Sequence, residues 1–134
     1  MKTPLELAET SLALTKARDR DGWLALFEDD AVVQDPVGPS PTDPGGQGHR
    51  GIDAIARFHD SVISGVETFD YTIERSYTGG DEVAVVVNFQ ITGAGGRVDM
   101  DLVNIYRRSG NGKLASLRSF WDGSRQGQPQ RTAP

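Results

Sequence analysis

The chain has 134 residues, a charged fraction of 25%, a net charge of −5 and no cysteine. That length fits one domain with a sizeable core and room for a pocket. The charge argues against nucleic acid and anionic membranes as partners, and the missing cysteines exclude disulfides and thiolate metal sites.

Residues 4–18 read as a helix, with Pro4 in its first turn and Thr3 as its cap. Residues 20–28 read as a short second helix carrying Trp23, Leu24, Leu26 and Phe27, with Asp29 and Asp30 bounding it. The run AVVQDPVG, residues 31–38, predicts a strand that ends at Asp35 and turns at Pro36 and Gly38. A loop rich in Pro, Gly, Ser and Asp fills 36–50, long enough to suggest a function. Residues 51–64 predict a helix stopped by Gly65. Four strands follow at 69–78, 82–92, 97–108 and 113–122, joined by glycine-containing turns at 79–81, 93–96 and 109–112. The domain is expected to span 1–122, with a polar, frayed tail at 123–134. Helices followed by a meander of long strands predict an α+β fold, a curved sheet with helices on one side.

No segment is long or apolar enough to span a bilayer, and the N-terminus has no signal-peptide apolar region. A soluble, cytoplasmic protein is the expectation. There is no P-loop, dinucleotide fingerprint or internal repeat, and no cofactor is expected. With only two histidines, and no HExxH or His/carboxylate cluster, no metal site is expected either.

The informative positions are polar residues on apolar faces. On the first helix Ser11 and Thr15 fall within the arc of Leu5, Leu7, Ala8, Leu12 and Leu14. On the third, His59 sits in the stripe of Ile52, Ile55, Phe58, Val62 and Ile63. One face of the strand 98–106 reads Val98, Met100, Leu102, Asn104, Tyr106, and Asn104 interrupts it. Alternation also turns Asp35 to the inward side of its strand, with Ala31 and Val33. A buried polar group without a partner costs several kcal/mol, so Ser11, Asp35, His59 and Asn104 together point to a polar pocket inside the core. Each also has an ordinary structural reading. Ser11 can bond back to its own helix, His59 can be a satisfied core histidine, Asn104 can bridge strands, and Asp35 before proline is a common turn residue. Trp121 reads by its type as core.

The stretch FEDDAVVQDPVG, the helix GIDAIARFH and the C-terminal VNIYRRSGNGKLASLRSFW resemble the ketosteroid isomerase group of the NTF2-like (SnoaL-like) superfamily. The resemblance covers about residues 4–122, and its most specific piece is the D-D-x-x-V/I-x-D-P-x-G pattern. It implies a cone: a strongly curved mixed sheet wrapped against helices around an apolar cavity, in a protein that is usually a dimer. A homodimer and a small apolar ligand, steroid-like or a planar ketone or phenol, are the partners it implies. It further implies that Asp35 is a general base removing a proton alpha to a ketone, beside Trp121.

The same resemblance places Ser11 where the family has its oxyanion tyrosine and Asn104 where it has its oxyanion aspartic acid. Phe27 and His59 replace two further tyrosines of the network. Asn104 is then the expected principal donor to a ligand oxygen, with His59 or Ser11 secondary. Phe27, Phe58, Met100, Leu102, Leu117 and Trp121 are the expected apolar walls. Three readings stay open: a steroid Δ-isomerase-like enzyme, weak on ordinary ketosteroids; another acid–base enzyme, such as a polyketide cyclase or dehydratase; and a non-catalytic binder of hydrophobic molecules. An epoxide-hydrolase reading is weaker, because no Asp-Arg-Asp set assembles and alternation turns Arg107 and Arg118 outward.

Overall fold

The computed structural model describes residues 1–122, so the expected tail at 123–134 lies outside the described residues. The first helix, α1 (Pro4–Lys16), starts with a capping box in which the Thr3 hydroxyl accepts from the Glu6 amide and Glu6 accepts from the Thr3 amide. It buries Leu7, Ala8, Ser11 and Leu12. Arg18, just beyond it, donates to the carbonyls of Val66 and Glu67 at 2.7 Å each and ties this helix to the sheet.

The second helix, α2, ends at Leu24 (Arg20–Leu24), short of the predicted 20–28. Phe27, Asp29 and Asp30 instead belong to strand β1 (Phe27–Gln34). The cause is long-range pairing: the Leu114 amide donates to the Leu26 carbonyl and Phe27 pairs in parallel with Leu114. The next pairs are Val32 with Ser116, so residues 28–31 bulge opposite residue 115 and leave Asp29 and Asp30 exposed. Those two carboxylates therefore sit on a bulge and not at a helix end.

The predicted loop folds back on itself. Ser40 and Asp43 bridge, Asp43 accepts from the Gly48 amide at 2.8 Å, and β2 (His49–Arg50) pairs antiparallel with β1. Gly48 has φ +88°, and a Cβ there would sit 2.8 Å from Gln34 Cγ, so the return requires glycine. Helix α3 (Ile52–Ile63) follows, burying Ile55, Phe58 and His59.

The rest is a meander: β3 (Val66–Gly79), β4 (Glu82–Gly93), β5 (Gly96–Arg108) and β6 (Leu114–Phe120). The six strands run in the order β2-β1-β6-β5-β4-β3 in one curved, unclosed sheet, parallel only between β1 and β6. Helix α1 packs on β3, β4 and β5, and α3 packs on β1 and β2. The core fills this layer, with Val83, Val85 and Val87 of β4 fully buried beside Leu102 and Tyr106 of β5. This is the α+β cone expected from the sequence. No helix of the described residues is long and apolar enough to cross a membrane.

Candidate active site

Between the helices and the concave face of the sheet lies a cavity of about 570 Å³, within the usual range for small-molecule sites. Its outer part is apolar. Phe58, Val62 and Ile63 come from α3, Phe69 from β3, Phe89 and Ile91 from β4, and Val98 and Met100 from β5. Phe69 and Phe89 meet edge to face at 4.9 Å. Val62, exposed at 43%, marks the mouth with Gly65 and Gly95. The deep part is polar, lined by Ser11, Trp23, Asp35, His59, Asn104, Tyr106 and Ser119.

Asp35 follows the last residue of β1. The Val37 amide donates to the Ser119 carbonyl at 2.8 Å, pinning the turn after Asp35 to β6. That brings Trp121 alongside, and its indole Nε1 donates to Asp35 Oδ1 at 2.7 Å. Loss of water around the carboxylate raises the Asp35 pKa above the ordinary 3.8; the hydrogen bond from Trp121, and the nearby Ser119 and His49, offset part of that rise. The residue as a whole is half-buried because the cavity reaches it. The result is a carboxylate that is more basic than usual and open on its cavity side.

Asn104 faces the same space from β5 and is 2% exposed. Its amide nitrogen donates to the Tyr106 hydroxyl at 3.1 Å, and its carbonyl oxygen accepts from the Ser119 hydroxyl. Ser11 accepts from the Trp23 indole at 3.1 Å. Burial pushes the Tyr106 phenol well above its usual pKa, while Asn104 and Ser11 pull it back in part. His59 lies against the Trp23 ring at 5.0 Å, and its buried Nδ1 is 3.6 Å from the Asp60 carboxylate, outside hydrogen-bond reach. Asp60 itself is held by a two-pronged bond from Arg20. Among the described residues no three His, Asp or Glu side chains gather as metal ligands would.

Of the residues singled out in the sequence, Asp35, Asn104, Ser11, His59, Phe58, Met100, Leu117 and Trp121 all line this one cavity. Two expected wall residues do not. Phe27, in β1 and not in a helix, is 1% exposed and packs under Trp23 with ring centroids 4.7 Å apart. Leu102, buried in the core and paired with Val87, is not among the residues that line the cavity. Sequence reasoning passed over Tyr106 and Ser119 as site residues. The signal was present: Tyr106 shares the period-two face of Asn104, and a buried tyrosine hydroxyl needs a partner. Ser119 lies directly across from Asn104, two residues before Trp121.

Residues 8–117 match the model of the SnoaL-like domain. The chain belongs to the SnoaL-like, NTF2-like family. It is similar to RV0760c from Mycobacterium tuberculosis, solved in complex with estradiol-17beta-hemisuccinate, at 32% identity and TM-score 0.82, over 90% of this chain and 95% of that one. It is similar to the delta 5-3-ketosteroid isomerase from Mycobacterium sp., at 31% identity and TM-score 0.82, over 90% and 94% of the two chains. A computationally designed 17-OHP binder matches at 32% identity and TM-score 0.83, over 90% and 95%.

Proposed function

We propose that this SnoaL-like protein binds a flat apolar ketone of steroid size and moves a proton alpha to its carbonyl, with Asp35 as the base. The observation that carries this reading is the placement of Asp35: a desolvated carboxylate, held by Trp121, at the polar end of an otherwise apolar cavity. The apolar walls supply binding through burial, and the two natural neighbours described above are a protein solved with a steroid ester and a ketosteroid isomerase.

The step is simple in its balance. The Asp35 carboxylate takes the proton from the carbon alpha to the carbonyl, the C–H electron pair moves into the enolate, and Asp35 becomes a neutral acid. It then returns the proton to the far carbon of the conjugated system. No oxidant, reductant or co-reactant is consumed. Desolvation makes the carboxylate a stronger base, and Trp121 fixes one of its oxygens so that the other faces the ligand.

The test is Asp35→Asn, assayed on a β,γ-unsaturated 3-ketosteroid. The amide keeps the Trp121 bond but cannot accept the proton. The expected loss is at least about a hundredfold in kcat; an unchanged rate removes Asp35 from the mechanism. In the active parent, kcat/KM should rise with pH through a value above 3.8, because only the ionised Asp35 is a base. A binding-only role is the second reading, supported by the designed binder on a similar chain. In that case steroids bind with a negative heat-capacity change and no turnover accompanies binding.

A further inference from the structure

The deep end of the cavity is arranged around one atom, the phenol oxygen of Tyr106. On one side it accepts from the Asn104 amide at 3.1 Å. The Asn104 amide is itself oriented, because its carbonyl oxygen takes the Ser119 hydroxyl and so turns the nitrogen toward Tyr106. On the other side stands Ser11. Its oxygen accepts from the Trp23 indole, and its proximity helps hold the phenol's pKa down. The phenol oxygen thus accepts from the Asn104 amide, and its own hydrogen is left for the cavity that Tyr106 lines.

We propose that Tyr106 is the group that holds the ligand's carbonyl oxygen, donating to it as negative charge develops, and that Asn104, Ser11 and Ser119 are positioning residues acting through it. This rests on the Asp35 reading for the proton transfer and adds the opposite pole of the site. Ser11 on α1 and Tyr106 on β5 line this same end of the cavity. Burial keeps the phenol protonated at ordinary pH, so it remains a donor. A phenol O–H is a far stronger acid than an amide N–H, and the Asn104 amide bound to it stabilises whatever charge it takes up as it gives its hydrogen. Asp35 and Tyr106 line the same cavity. A ligand can therefore have its oxygen at one group and its acidic carbon at the other.

The test uses 2-naphthol as probe, since its ionised oxygen stands in for an enolate and its fluorescence reports binding and ionisation. Tyr106→Phe keeps the ring and removes the hydroxyl. Expected is at least a roughly tenfold loss of affinity, with a smaller loss in Asn104→Ala. In the Tyr106→Phe background, Asn104→Ala should add nothing, because its effect runs through the phenol. Fluorinated tyrosines at position 106 keep the fold and acidify the hydroxyl, and should tighten binding several-fold.

Equal binding by the parent and Tyr106→Phe overturns the assignment while leaving the Asp35 reading intact. So does an additive loss in the double variant, or fluorination without effect. If 2-naphthol fails to bind the parent at its solubility limit, this assignment and the apolar-ketone reading both fall.

Discussion

Two asparagines on adjacent strands are almost equally buried, Asn88 at 3% and Asn104 at 2%, and they do different things. Asn88 lies on the outer face of β4. Its amide donates to Asp99 at 2.7 Å and to Asp101 at 2.9 Å, and its oxygen accepts from Gln90. Among the described residues its partners come from the same two strands, at neighbouring register positions. Asn104 lies on the inner face of β5, partnered by Tyr106 on its own strand and Ser119 on the next, and it opens on a cavity. A buried amide by itself therefore marks only a satisfied hydrogen-bond site. What separates the two is the space beside Asn104 and the basic carboxylate across it.

The sharpest way to break this comparison is to remove each amide in turn. Asn104→Ala should cost several-fold, up to about tenfold, in kcat on a ketosteroid substrate and less than Tyr106→Phe, because the phenol loses the donor that holds it. Asn88→Ala should leave kcat and ligand affinity within about twofold. Equal losses in the two variants would mean that sheet integrity, and not the cavity, governs the rate.

The stabilities should fall in the reverse order. Asn88→Ala takes away the hydrogens that face two carboxylates at close quarters, and the loss expected on unfolding in urea is about 1–3 kcal/mol. Asn104→Ala strips partners from a serine and a phenol that a cavity water can reach, so its loss should be smaller. A larger loss for Asn104 would identify it as a structural brace.

Much of this was legible in the sequence, and the parts that were not share a cause. Period-two alternation put Val98, Met100, Leu102, Asn104 and Tyr106 on one face, and β5 places Met100, Leu102, Asn104 and Tyr106 inward and buried. Glycine-bearing turns gave the meander of β3 to β6. Helical spacing placed His59 and Ser11 inward. The failures came where a distant partner decides. Phe27 looked helical beside Trp23 and Leu24, but its backbone is claimed by Leu114, and nothing local announces that. The short strand β2 exists because Val33 pairs with His49 across a folded loop. Leu102 was read as wall because strand alternation gives direction but not depth. Ser119 went unnoticed because its meaning lies in the register between β5 and β6, which sets it opposite Asn104.

The smallest expected effect concerns the price of keeping Asp35 ionised in the site. Its folded pKa is raised above the unfolded 3.8, chiefly by desolvation. Below 3.8 the carboxyl is protonated in both states and contributes no penalty. As pH rises from 3.8 through the folded value, the unfolded chain releases its proton more readily, and the native state loses stability by that difference. Above the folded value the penalty is constant. Asp35→Asn carries no such charge and keeps an oxygen for the Trp121 indole. The variant should therefore melt higher than the parent at neutral pH. That gap should close as the pH is lowered toward 3.8. The carboxylates of Glu6, Glu28, Asp60 and Asp70, whose pKa values are lowered in the fold, are common to both proteins and cancel in the difference. A gap that stays constant over the whole pH range would tie it to packing and not to charge. A variant less stable than the parent at neutral pH would mean that Trp121 binds the carboxylate strongly enough to outweigh its desolvation, and Asp35 would then be too weak a base for the role given to it.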